Sequence, residues 1–242
     1  MISITAYVKK CGEKMNGFDF MIGTKNDMIA AIEVFGFLPF FANEITGFSI
    51  EEHAAGNVWY TPGSGDWKVW EWKGPVIRES ACAYGKFFGG KAVFISRKWF
   101  PEFANYRRNG YDFDAAYDDG LIRYSDKELY ELIAANAPVL SKSLKAAGDY
   151  GKNGKKGFDG IVTRLQSQCY VTISDFVYSV DKNGEPYGWG IAEYTTPEKQ
   201  FGKEFSDSVY KRTPEESYKM IFEHIRRLFP DAGEKAIKKL LK

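Results

Sequence analysis

The stretch "GKNGKKGFDGIVTRLQSQCYVTISDF", residues 151–176, decides how the chain is read. Lys155 and Lys156 stand ahead of a run in which Phe158, Ile161, Val162 and Leu165 recur at i, i+3, i+4 and i+7. That spacing puts them on one stripe of a helix from about Phe158 to Gln168. The period then drops to two. "YVTISDFVYSV", a turn "DKNGEPYG" carrying Asn183-Gly184, and "WGIAEYTT" predict a strand, a turn and a returning strand. Upstream, Ser125 and Glu128 have capping-box spacing before Leu129, Leu132 and Ile133, and Pro138 separates that helix from "VLSKSLKAAG", which stops at Gly148. Three short helices followed by a two-stranded ribbon predict a winged helix over residues 121–200.

On either side the pattern is looser. Asn26 or Asp27 is expected to cap a helix bearing Met28, Ile29, Ile32 and Phe35, stopped by Gly36. Ser49 and Glu52 open a short helix that Gly56 ends, "CAYGKFFGGKAVFIS" reads as two strands about a glycine turn, and "RKWFPEFANYRRNG" is helical or irregular up to Asn109-Gly110. Thr213-Pro214-Glu215-Glu216 caps a long helix with Tyr218, Ile221, Phe222, Ile225, Leu228 and Phe229 on one face. The expected fold is α+β: two winged-helix units, an inserted β-ribbon and a C-terminal helix. The expected division is 1–120, winged-helix-like with the ribbon; 121–200, winged helix; and 201–242, a helical segment packing on the rest.

Composition narrows the function. A chain of 242 residues, 44% hydrophobic, can bury a core, and no apolar run approaches the roughly 20 residues that span a bilayer. Without a signal-like N-terminus it is expected to be cytoplasmic, with no membrane partner. Cys11, Cys82 and Cys169 are odd in number and far apart, which fits buried thiols in a reducing compartment. His53 and His224 have no ligand cluster around them, so no metal or other cofactor is expected. Net charge is +1 but uneven: residues 81–110 hold six basic and one acidic residue, 111–131 two and seven, 141–170 six and two. Local basic zones of this kind can steer an anion.

In a winged helix the third helix and the hairpin face nucleic acid. Lys142, Lys145, Lys155, Lys156 and Lys182 are therefore expected on phosphates, and Arg164 and Gln166 on base edges; the plain alternative is that the lysines only solvate a small unit. Other motifs weaken on inspection. "GKFFGGKA" has the glycine and lysine spacing of a phosphate loop, but Ala92 replaces the hydroxyl residue and a strand follows it. Asp112, Asp114, Asp118 and Asp119 lack a calcium-loop pattern and suit the start of a short helix. Trp67, Trp70 and Trp72, with Glu71 and Lys73 interleaved, form either a platform for a splayed base or packing between units.

"SKSLKAAGDYGKNGKKGFDGIVTRLQSQCYVTISDF" and "DKNGEPYGWGIAEYTTPE" resemble a winged-helix unit of the AlkZ/YcaQ-type DNA glycosylases, in particular the shorter AlkZ-related proteins; the likeness covers about 121–200 and 28–48. The resemblance implies tandem winged helices with a small β-barrel cradling DNA, excision of damaged bases, and a Gln-x-Gln or Gln-x-Asp catalytic motif near the N-terminus. In "FGFLPFFANE" Pro39 and Phe41 take the two polar positions, so weak or no excision is expected. Gln166-Ser167-Gln168 spells the motif in another part of the architecture. Asn43, Glu44 and Glu71 are the remaining candidates for catalysis, with Glu44, desolvated by Phe37, Phe40 and Phe48, as a base of raised pKa. The expected partner is duplex DNA, intact or damaged. The alternatives are a winged-helix transcriptional regulator or ligand sensor without enzymatic activity, and a protein-interaction module.

Overall fold

The computed structural model describes residues 2–3, 20–59, 68–184 and 186–242. Strands β1 (Ile2–Ser3) and β2 (Phe20–Met21) pair in parallel. Thr24 then caps α1 (Lys25–Phe35): its hydroxyl oxygen accepts from the Asp27 amide and donates to Asp27 Oδ2. The cap lies earlier than expected, because Asp27 serves it from inside the helix rather than being it. The chain continues through β3 (Phe37–Pro39), four short helices, α2 (Ile50–His53), α3 (Gly56–Trp59), α4 (Lys68–Glu71) and α5 (Lys73–Ser80), and the hairpin β4 (Ala83–Phe88) and β5 (Lys91–Ile95). Ser49 caps α2 as its spacing predicts, but α2 stops at Ala54, and Gly56 opens α3 instead of ending α2. Gly89 and Gly90, both at positive φ, make the hairpin turn.

After α6 (Phe100–Arg108) and α7 (Phe113–Asp118) the same sequence of elements returns. It comprises α8 (Tyr124–Asn136), β6 (Val139–Leu140), α9 (Ser141–Ala147), α10 (Phe158–Ser167), and the hairpin β7 (Thr172–Val180) and β8 (Pro186–Thr195). The sheet orders are β3-β5-β4 and β6-β8-β7, antiparallel throughout. In both, the short first strand pairs with the hairpin's last strand, the topology of a winged helix. The ribbon at 83–95 lies inside the first unit, as its wing. No capping box opens α8: Arg123 holds the cap position without a side-chain bond, Ser125 donates to Asp126 within the helix, and Glu128 pairs with Lys155.

Helices α11 (Pro197–Phe201), α12 (Lys203–Ser208), α13 (Pro214–Leu228) and α14 (Glu234–Leu240) close the chain. Thr213 and Glu216 form the capping box of α13, whose Ile221 and Ile225 are fully buried. One cluster of buried apolar residues runs from Phe20 to Leu241. Phe158, Ile161, Val162 and Leu165 all enter it, each burial stabilising by about 1.5–3 kcal/mol. Cys82 and Cys169 are buried, with both thiols pushed up to about 12 by desolvation; Cys11 lies outside the described residues.

The two winged units exchange contacts. Helix α5 of the first lies on β7 of the second, where Arg78 pairs with Asp175. Helix α10 of the second lies on β4 of the first, where Gln166 Oε1 accepts from the Lys86 amide (2.9 Å) and Ser167 Oγ donates to the Lys86 carbonyl (3.0 Å). A glycine allows each approach: a Cβ on Gly74 would lie 2.5 Å from Asp175 Oδ1, and one on Gly85 2.9 Å from Gln166 Oε1.

His224 ties α13 to the first unit. Its Nε2 lies 2.7 Å from the Phe35 carbonyl and its Nδ1 2.8 Å from Arg227, while the ring packs on Trp99. Arg227 donates, so Nδ1 accepts and Nε2–H donates to the carbonyl: the imidazole is neutral. Burial holds its pKa below the ordinary value. A depressed pKa gives stability that is complete above the unfolded value of about 6.5 and is lost as the pH falls through the lower folded value. The melting temperature is expected to fall from pH 7 to pH 5 more steeply in the native chain than in His224→Gln. Parallel curves would remove His224 from the acid response.

Candidate nucleic-acid interface

The lysines singled out by sequence occupy the second unit's rim but differ in freedom. Lys142 and Lys182 are exposed, with no acidic partner among the described residues. Lys145 pairs with Asp159 at 3.4 Å and Lys155 with Glu128 at 3.1 Å. Lys156 donates to the Gly151 and Lys152 carbonyls, pinning the loop before α10. At the exposed pairs a phosphate can replace the carboxylate at little cost, since such pairs contribute about 0–1 kcal/mol.

Two expectations need correction. Gln166 is 1% exposed and faces β4, so it cannot reach a base edge. Arg164 is forked onto Asp126, with Nε at 2.9 Å from one oxygen and a terminal nitrogen at 2.5 Å from the other. Asp126 is 3% exposed, and releasing Arg164 to a base would strand a buried carboxylate. The solvent side of α10 therefore offers Asp159, Gly160 and, in part, Thr163.

The α10–β4 seam brings the two basic zones together. Beside it stand exposed Lys86 and Lys91, and a Cβ on Gly90 at the wing tip would lie 3.6 Å from Thr163. Arg107 donates to the Phe87 carbonyl (3.0 Å) and to that of Lys242 (2.6 Å), drawing the C-terminal helix alongside. That helix exposes Lys235, Lys238 and Lys239, with Lys238 paired to Glu234, and Lys242 is exposed just beyond its end. The first wing thus carries Lys86 onto the end of α10 and, through Arg107, draws the C-terminal lysines alongside. Sequence reasoning missed these last lysines, although four in the final eight residues were a visible signal.

A family model described as AlkZ related matches residues 22–242. The chain belongs to the AlkZ-related family. Among solved structures, the Streptomyces sahachiroi DNA glycosylase AlkZ matches at 10% sequence identity and a TM-score of 0.49, over 94% of this chain and 56% of that one. The AlkZ-related chain thus spans little more than half the length of that protein. No curated protein matches it.

In this AlkZ-related protein the positions that the resemblance assigned to the polar pair hold no polar side chain. Pro39 is buried in β3 opposite Val93, and Phe41, 37% exposed, packs on Trp59 and Trp70. Glu44 is not the base expected. Lys239 Nζ lies 2.6 Å from its Oε1, and that hydrogen bond, aided by a backbone one, holds the carboxyl below its usual range. Asn43 stitches its own loop, donating to the Phe48 carbonyl (2.7 Å) and accepting from the Ile45 amide (3.0 Å). Glu71 is exposed on α4, away from Asn43 and Glu44 in sequence and joined to neither by a bond in the structure.

Of the tryptophans, Trp67 lies outside the described residues. Trp70 joins Phe40, Phe41 and Trp59, and its ring centroid is 6.3 Å from that of Trp189, which is 68% exposed on β8. Lys73, at the start of α5, extends over the Phe40 and Trp70 rings and that of Phe176 on β7. No group of three or more His, Cys, Asp or Glu that could hold a metal occurs among the described residues, and no described helix is long and apolar enough to cross a membrane.

Proposed function

We propose that this AlkZ-related protein binds duplex DNA through its exposed lysines, prefers damaged to intact duplex, and has lost base excision by the polar pair that the resemblance implied. The observation that supports it is that the first wing, bearing exposed Lys86 and Lys91, contacts α10 of the second unit and, through Arg107, the C-terminal lysines. Exposed cations arranged in this way release condensed counterions from a phosphate backbone, and they carry no sequence preference of their own.

Five phosphate contacts, from Lys86, Lys91, Lys142, Lys182 and Lys242, give a log–log slope of affinity on salt of about −4.5, at roughly −0.9 each. Fluorescence anisotropy on a labelled duplex is expected to show that slope. Changing Lys86, Lys91 and Lys242 together to Glu should flatten it by about 2.7 with the fold intact. An unchanged slope in that variant would move the interface elsewhere. A protein that favours one sequence over a lesion would be a regulator instead, so competition between an abasic duplex and a set of intact ones separates the two readings.

A further inference from the structure

Lys73 is the anomaly of the fold. It begins α5 at the seam with β7, and its Nζ lies 4.2 Å from the ring centroid of Phe176, 4.9 Å from that of Trp70 and 5.9 Å from that of Phe40. It has no hydrogen bond or ion pair among the described residues, although Asp175 lies against the next residue, Gly74. Asp175 is engaged elsewhere, with Arg78 and the Phe176 amide. Aromatic faces attract an ammonium but accept none of its three N–H bonds as an oxygen would. Desolvation accordingly pulls its pKa down to about 8. The residue as a whole is half-buried, at the edge of the seam and not sealed within it.

A desolvated amine in an apolar pocket is a nucleophile toward carbonyls. On DNA the carbonyl available is the C1′ aldehyde of the ring-opened sugar at an abasic site. The surroundings suit the place of a missing base, since the pocket is aromatic and Trp189, 68% exposed and edge-to-face with Trp70, adds a ring at its rim of the kind that stacks on a base. We propose that Lys73 captures abasic deoxyribose as an imine, making the α5–β7 seam a site for DNA that has already lost a base. The unprotonated Nζ attacks C1′, the carbinolamine expels its oxygen as water after proton transfer, and a C=N bond replaces C=O. Hydrolysis reverses the step and regenerates the free lysine, so no oxidant or further reactant is needed. This inference rests on the DNA reading above, and it needs no base excision by this chain.

The test is reductive trapping. Full-length protein is mixed with a labelled duplex containing an abasic site in the presence of cyanoborohydride, which reduces an imine to a stable secondary amine. A covalent band is expected with the native chain, falling about tenfold or more in Lys73→Arg, which keeps the cation over the rings but cannot form the imine, and likewise in Lys73→Met. Circular dichroism and melting confirm that each variant folds. A tetrahydrofuran duplex, which lacks the aldehyde, should bind the native protein without being trapped. Native protein that binds this duplex yet yields no band with the abasic one overturns the proposal and leaves the DNA reading standing. So does a band of equal strength in Lys73→Arg, which would place the imine on another amine. Failure to bind any duplex removes both.

Discussion

Replacing Arg108 by leucine is expected to lower the melting temperature by about 3–12 °C. Arg108 is 5% exposed at the end of α6, and its guanidinium reaches three partners. Glu198 lies at 2.8 Å, the Tyr210 hydroxyl at 3.1 Å and the Cys169 carbonyl at 2.8 Å, with the Tyr170 ring stacked beneath. One side chain thus joins α6, the end of α10 and the C-terminal helices. Burial works against the charge, but Glu198 and Tyr210 outweigh it and keep the guanidinium's pKa above its ordinary value. Glu198, its side chain 39% exposed, is resolvated when Arg108 is lost, so the cost is that of the charged hydrogen bonds, about 1.5–3 kcal/mol, and each kcal/mol shifts the melting point by about 2–4 °C in a chain of this size. Thermal melting of Arg108→Leu checks it. A variant within 2 °C or so of native would mean that the pair is dispensable.

The second expectation concerns rate. Single-turnover incubation with duplex containing N7-alkylguanine should release no free base beyond the spontaneous rate. Each group that positions water or stabilises a developing charge contributes about 100-fold or more, so losing two forfeits about 10⁴-fold. Pro39 and Phe41 supply neither effect. Glu44→Gln should behave as the native chain does, because Lys239 already engages that carboxylate. Release by the native protein that disappears in Glu44→Gln would establish a relocated site and overturn the loss of excision.

Much of the second winged unit was legible because its elements differ sharply in period. Phe158, Ile161, Val162 and Leu165 recur at helical spacing, residues 170–180 alternate, and Asn183-Gly184 marks the turn between the strands. The first unit was harder to read. Between Phe41 and Ala81 its helices are four to eight residues long, too short for an apolar period to emerge. The cap of α8 misled for a different reason. Ser125 and Glu128 have the right spacing, yet their side chains go to Asp126 and Lys155, and spacing cannot show that competition. Site residues were the least legible. Arg164 looks like a base reader until Asp126, 38 residues earlier, is seen beneath it, and Gln166 looks free until β4 arrives from 80 residues away. Lys73 showed in the sequence only as a cation interleaved with tryptophans, because what sets it apart is the absence of a bonded acceptor among the described residues around it.

The exchanged helix–wing contacts constrain how this protein could travel along DNA. A lone winged helix sinks its third helix into the major groove and reads base edges there. Here one flank of α10 is closed by β4, the first wing's tip stands beside Thr163, and the outward residues are a carboxylate and a glycine before it. On the proposed DNA reading such a surface would ride on the backbone instead of entering the groove, held by lysines that one phosphate satisfies as well as the next. On the DNA reading, the protein scans a duplex without regard to its sequence and pauses where the helix is interrupted.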